Sequence, residues 1–581
     1  MFEPRVYRAA FIPALLALVL TMFSLQSRPS PLRQGLAADV LFDGRVAAAE
    51  TARIVAAAPD RRPGTTGDAR IATRVARALH GSGFRVDDPQ RFSHSDKDLV
   101  NVIGRRAGRS RRQIVIVANR DSATIPGATG SAADTAALIE LARALEGRAT
   151  TKTLVLASLD GSTLGEVGAT QLLSELPDPD LVDGILVMSD LASPTRRGSL
   201  VQAWSTSERR AGIGLQRTVA ESIRRELDST PAGPGSLGQL ARLSFPVGIG
   251  AQAVLIDQGY DAVRIAGSGE LPPDGDGPVE AIDEDNLGAL GRATLRTITA
   301  LDRGPRPEHG PASYVTAVSQ VMPGWVLSLL AGTLLLPAFI AAVDAFARAR
   351  RQQVSVLAWL RWVAAWVAPF LAGLAIAELL ALVGATPPPP PSPVPPDLLP
   401  LDGPALAVLA GVGVAMALAL LLARFLSARP DPELSRPEPP GAAVALALVA
   451  NVAALVLWLA NSYAGLLVVP AAHLLLVVLL AGVQPSRRVR GGLLALAALP
   501  AVLVALYYMA ALSMDPLSAA WYLLMLVTGH TVGLLTALVG CVMLGALSAA
   551  IELVYRSPVE TPPPSETSGP APLGPGFALR R

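Results

Sequence analysis

A chain of 581 residues has room for several domains; half of these residues are hydrophobic and only 17% are charged, against a usual charged share of about 25%. Lys and Arg number 49 against 47 Asp and Glu, so no basic field is available for nucleic acid. A single cysteine, Cys541, excludes an intramolecular disulfide.

Ala9 to Leu25 form a long apolar run behind Arg5 and Arg8. No small-x-small site follows it directly, and Leu36-Ala37-Ala38 is a weak and distant one. The run therefore predicts a signal anchor over residues 1–29 rather than a cleaved leader. The arginines hold the N-terminus in the cytoplasm and send the chain beyond the anchor outside.

Residues 30–312 are soluble in character and are read as one exported domain. Helices are predicted at Glu50–Ala58, Asp68–Leu79, Ala132–Leu145, Leu215–Leu227, Ala251–Gly259 and Glu284–Leu301. Strands are predicted at Leu99–Ile103, Ile114–Ala118, Leu154–Leu159, Gly184–Met188 and Ala262–Ile265. Continuous apolar strands alternating with helices predict an α/β three-layer sandwich with a mostly parallel central sheet. The turn-rich PAGPGSLGQL, Pro231 to Leu240, reads as a mobile loop.

From Val321 onward, apolar runs recur at the ~20-residue length that crosses a bilayer. Seven are placed at Val321–Val343, Trp362–Gly384, Pro404–Ala423, Gly441–Ala460, Ala464–Val483, Gly491–Leu512 and Ala519–Ala550, giving an all-α membrane domain over 321–555. Arginines cluster in alternate loops: Arg348 to Arg361, Arg424 to Arg436, Arg487 to Arg490, then Arg556. The loops between hold none, so the positive-inside rule puts both termini in the cytoplasm of a multi-pass cell-membrane protein. Leu517–Val554 is too long for one span and is read as a long helix projecting into the cytoplasm. Two short spans turning near Gly529 are the alternative, and would put the tail outside. Pro387–Pro396 reads as a stiff polyproline spacer, and 556–581 as a disordered cytoplasmic tail. Glu378, His473, His530 and Asn451 are polar inside predicted spans, where interhelical hydrogen bonding explains them better than a proton path.

Chemistry concentrates between Arg112 and Asp190. Two strand–turn–helix units end their strands at Asn119–Asp121 and Asp160–Thr163, the edge where such folds place their sites. The segments Asn119-Arg120-Asp121, PGATGSAAD (Pro126 to Asp134), DGSTLG (Asp160 to Gly165) and LVMSD ending at Asp190 resemble, in frame, the clan MH aminopeptidases with two co-catalytic zinc ions. Arg61 to Val86 resembles that family's early RxPG-like turn and helix. The resemblance implies a first His where Asn119 stands and a bridging Asp at Gly130. It implies a general-base Glu at Ser162, a ligand Glu at Thr163 and a further carboxylate at Asp190. It gives Asp121 the task of orienting the missing His. No histidine lies between His94 and His309 to supply the last ligand. Uncharged Asn, Gly, Ser and Thr cannot hold a dinuclear site, so loss of the metal and no cofactor are expected. Asp134 is read as favouring a positive helix end; Glu166 and Asp261 are read as solvated turn residues. Ser162 has no histidine near in sequence to act as its base.

The layout of anchor, exported domain and seven spans resembles the attachment-protein subunit of glycosylphosphatidylinositol transamidases, whose lumenal domain is similar to these peptidases without their metal ligands. The expectation is a non-catalytic membrane protein whose groove, lined by Asn119, Asp121, Gly130, Asp134, Asp160, Ser162, Thr163 and Asp190, binds a peptide or lipid-linked ligand. Membrane lipids and a membrane-protein partner would accompany it. One alternative is a living zinc hydrolase rebuilt on Asp121, Asp134 and Asp190. Another is a lipid or solute transporter with an exported sensor domain.

Overall fold

The computed structural model of the chain describes residues 3–33, 42–194, 198–228, 233–271, 277–426, 440–480 and 486–555. Eleven strands occur among them: β1 (Gln26–Ser27), β2 (Arg85–Val86), β3 (Gln90–His94), β4 (Lys97–Arg106), β5 (Ser110–Asn119), β6 (Lys152–Leu159), β7 (Val182–Ser189), β8 (Val201–Gln202), β9 (Ala262–Ala266), β10 (Tyr314–Ala317) and β11 (Gln320–Pro323).

The large sheet runs β2-β4-β6-β5-β7-β9-β8, with β3 added to β4. Only its centre, β6-β5-β7-β9, is parallel. β2, β3 and β4 pair antiparallel on one side and β8 pairs antiparallel on the other. The sheet is therefore mixed, not mostly parallel. The reason is local: β3 and β4 form a hairpin turning at Ser95 and Asp96, both with positive φ.

Ile114 to Ala118 and Leu154 to Ala157 have no solvent exposure, as expected of parallel strands covered on both faces. Helices Thr66–Gly81, Ala133–Ala144, Ile213–Leu227 and Glu284–Arg303 pack against strands, and Gly44–Ala57 lies against three of these helices. A thinner layer comes from Val167–Leu172 and Ala251–Asp257. Asp43, Thr65 and Asp283 cap three of the helices by accepting from first-turn amides. β6 and β7 flank β5 on opposite sides, and the carboxyl end of β5 is where a sheet of this kind places a crevice.

Eight helices among the described residues are long and apolar enough to cross a membrane, which fits a multi-pass membrane protein: Pro4–Phe23, Gly324–Arg351, Val356–Leu382, Gly403–Phe425, Pro440–Ala460, Ser462–Leu480, Arg487–Ala511 and Leu534–Tyr555. The first of the seven later ones starts after β11, so Val321 is strand rather than span. The last apolar stretch is not one long helix. It breaks at Gly529–Gly533 into Pro516–Thr528, 13 residues, and Leu534–Tyr555. Thirteen residues reach only ~20 Å, short of the ~30 Å hydrocarbon core. Only the second piece can span, and Tyr555 ends against Gly491 beside the arginines of Arg487–Arg490.

Glu3 also meets Arg348 at this arginine-rich end, 3.5 Å apart. The opposite end carries the α/β domain. There Asn461 donates to the Leu243 carbonyl at 2.8 Å, and Glu208 accepts from the Ser462 amide at 3.2 Å. Val247, Ile249 and Leu271 of the domain pack with Tyr508, Leu512, Tyr522 and Leu526 of the bundle. Strands β1, β11 and β10 form a small sheet that joins the exit of the first helix to the start of the second.

Several polar residues move from their expected settings. His530 is exposed in the turn after Thr528, with φ of 56°, and is not inside a span. His473 is inside the bundle, between the Tyr7 hydroxyl at 2.6 Å and the Leu334 carbonyl at 2.8 Å, with Phe11 stacked on its ring. Glu378 lies in helix Val356–Leu382 with one carboxylate oxygen buried and without a hydrogen bond among the described residues. Ser236–Ser244 is a helix rather than a loop, seated on helices Ser462–Leu480 and Arg487–Ala511. Pro231 lies outside the described residues, as does the tail from 556. The proline run is more than a spacer. Pro390 and Pro391 fit against Gly165 of the DGSTLG turn, where a Cβ would come 2.7 Å from Pro391, and Pro389 lies against Gly529.

Candidate functional site

The residues expected to line a groove do gather at the carboxyl ends of β5, β6 and β7. Asn119 ends β5, opposite Leu159 of β6. Asp160, Ser162 and Thr163 follow β6, and Asp190 follows β7 with φ of 55°. Gly130 sits buried in a wide turn, Ala128–Ala132, leading into the helix that carries Asp134. Buried Arg61 shapes that turn by donating to the carbonyls of Pro126 at 3.0 Å and Gly127 at 2.7 Å.

The acids here hold the protein's own donors. One oxygen of Asp121 accepts from the Ser162 amide at 2.9 Å; the other accepts from the Thr163 amide and hydroxyl, both at 3.0 Å. Asp134 accepts from the amides of Asp190 and Leu191 at 2.9 and 3.0 Å. It thus fixes the turn after β7, rather than only facing its own helix end. Asp190 accepts from the Ser189 and Ser268 hydroxyls at 2.8 and 3.1 Å. Beneath them Arg120, fully buried, makes a two-pronged pair with Asp68 at 2.7 and 2.8 Å and lies 3.6 Å from Asp160. Asp160 also accepts from the Val100 amide at 3.1 Å.

Two further residues enter the crevice. Glu166, expected on a solvated turn, is 6% exposed with φ of 58°, and lies within interaction range of Asn119, Asp121 and Arg264. Arg264 projects from β9, donates to the Glu270 carbonyl at 2.6 Å, and neighbours Asp190, Glu270, Glu166 and Asp134. The signal for it was visible: a lone arginine in the otherwise apolar run AVRIA. Asp261 is also buried, accepting from the Gly212 amide at 2.6 Å with His309 3.4 Å away.

Burial raises the pKa of Asp121, against the pull of the two amides it binds. Burial pushes Glu166 up to about 8, helped by the charge of Asp121 and opposed by Arg264. Burial likewise pushes Asp160 up to about 8, with Asp68 adding to it and Arg120 opposing. A raised folded value means stability that is full below the unfolded value and is lost as pH rises through the folded one. For Glu166 that window runs from 4.5 to about 8. Glu166→Gln should therefore match wild type in thermal unfolding at pH 4 and exceed it at pH 9. Tryptophan-fluorescence melts of the full chain at both values are the check.

A pair of zinc ions needs several anionic or imidazole donors and a bridging carboxylate. Gly130 offers no side chain, the Asp121 oxygens are taken by amides, and His94 stands away in β3. Among the described residues no three His, Cys, Asp or Glu side chains converge as a metal-ligand group. A fixed guanidinium, Arg264, lies among the acids instead. This donor set does not fit the centre that the resemblance implies.

No protein-family model matches the chain, and no curated protein does. Among solved structures it is similar to a glutaminyl cyclase from an Acidobacteriales bacterium, at 16% identity and a TM-score of 0.35, over 48% of this chain and 99% of that one. It is similar to the zinc aminopeptidase BSAP from Bacillus subtilis, at 11% identity and a TM-score of 0.36, over 46% of this chain and 99% of that one. A third likeness is to the LapA aminopeptidase of Legionella pneumophila, at 10% identity and a TM-score of 0.39, over 48% of this chain and 78% of that one.

Proposed function

We propose that this chain is a membrane-embedded binding protein whose α/β domain has the frame of a zinc aminopeptidase and does no hydrolysis. The observation that carries the reading is the engagement of the crevice acids. Asp121, Asp134 and Asp190 each accept from internal amides or hydroxyls. Asp121 and Asp134 are held through both carboxylate oxygens, which leaves them poorly placed for a metal or an attacking water, while Asp190 is held through one. The engagement of two of the three counts against a zinc hydrolase rebuilt on those residues. Loop arginines on one side support an α/β domain outside the cell and both termini inside. The layout supports the likeness to the transamidase attachment-protein subunit, with a peptide or lipid-linked ligand in the crevice and a membrane-protein partner.

Elemental analysis of the purified full chain, equilibrated at micromolar free zinc and assayed on aminoacyl substrates, tests this. The expected result is zinc well below one ion per chain and no chelator-sensitive turnover. Two zinc ions per chain, or turnover abolished by Asp190→Asn, would overturn it.

A further inference from the structure

A cavity of about 270 Å³ lies on the side of the bundle that carries the α/β domain. One wall is Pro396 to Leu401, just before helix Gly403–Phe425. The other is Ser513, Met514, Ser518 and Tyr522, just after helix Arg487–Ala511. It therefore sits where two apolar helices end, at the level a bilayer's head groups would occupy. Tyr522 fixes the two walls together by donating to the Val394 carbonyl at 2.8 Å.

The lining has one sign of charge. Among the described residues, Asp397 is its only charged side chain, and no Lys, Arg or His lines it. Asp397 makes no hydrogen bond or ion pair with another side chain among the described residues, whereas Asp515 nearby is engaged by the amides of Leu517 and Ser518. Prolines, leucines and Met514 make up most of the remaining wall, and Leu517 stands 47% exposed beside it. An unpaired, solvent-exposed carboxylate beside a wall that is part apolar and part hydroxyl favours a cation carried on an apolar stem. A phosphate alone would meet the carboxylate with no counter-charge.

We propose that this cavity binds the ammonium head of a membrane amphiphile, its chain leaving past Leu517 into the bilayer. The carboxylate of Asp397 takes the ammonium, and the proline and leucine wall takes the adjoining methylenes. The inference does not rest on the crevice of the α/β domain, and its failure would leave that reading untouched.

The test uses the full chain in nanodiscs of phosphatidylglycerol doped with phosphatidylethanolamine, with retained lipid counted by native mass spectrometry. Wild type should hold phosphatidylethanolamine about two- to fivefold above its bulk share, the size expected of one partly exposed ion pair. Asp397→Asn should return the ratio to bulk, and Asp397→Glu should keep the enrichment. Asp397 supports no other side chain, so unchanged melting of the Asn variant is expected and is measured alongside. No enrichment in wild type, or enrichment that survives Asp397→Asn, overturns the proposal. Displacement of the lipid by free ethanolamine at equal concentration would overturn the membrane source, because the chain would then add nothing.

Discussion

Arg120→Met is expected to destabilise the α/β domain by about 3–5 kcal/mol, the cost of leaving a buried carboxylate without its partner. Arg120 has no solvent exposure, and its guanidinium serves Asp68 through two nitrogens, the Val100 carbonyl and the Ser158 hydroxyl. Methionine fills much of the volume, so the loss is electrostatic rather than a cavity. Asp68 and Asp160 would then share a buried space with no cation, a burden that acidification relieves. Melting of the variant should therefore improve more on acidification than that of wild type. Arg120→Lys keeps the charge without the planar fork and should fall between the two. A methionine variant melting within a degree or two of wild type would show that the pair adds nothing to stability.

Arg242→Met is expected to loosen the α/β domain from the bundle, with a loss of similar size, about 3–5 kcal/mol. Arg242 is 4% exposed, pairs with both oxygens of Glu270, and donates to the Tyr507 hydroxyl at 2.9 Å. Its guanidinium also lies 5.6 Å from the ring centres of Trp204, Tyr507 and Tyr508, close enough for cation–π attraction. Glu270 would face those rings without the guanidinium that grips both its oxygens. The readout is limited proteolysis in detergent: cleavage should appear between 236 and 250 at protease levels that leave wild type intact. A variant equally resistant there would remove Arg242 from this role.

The centre of the sheet was readable because Ile114–Ala118, Leu154–Ala157 and Gly184–Met188 carry no polar side chain, as expected of strands covered on both faces. The hairpin β3–β4 was not: QRFSH is short and polar, and forms a strand only because β4 offers it an edge. The helix Ser236–Ser244 hid behind PAGPG, whose turn residues precede it but do not enter it. At the crevice, the absence of histidine and of the Glu pair could be read directly. What the remaining acids do could not, since their partners are backbone amides brought in by loops from other strands. Glu166 carried no periodic signal; only its left-handed backbone at the end of the DGSTLG turn aims it inward.

The hydrogen bond between Tyr7 and His473 joins residues 466 positions apart. Polypeptide synthesis at ~5–20 residues per second puts about half a minute to a minute and a half between their emergence from the ribosome. During that interval the upstream helix has its tyrosine hydroxyl lacking the imidazole it will later grip. Assembly of this bundle therefore closes late, when the fifth of the seven downstream helices arrives and retrieves a segment made long before it.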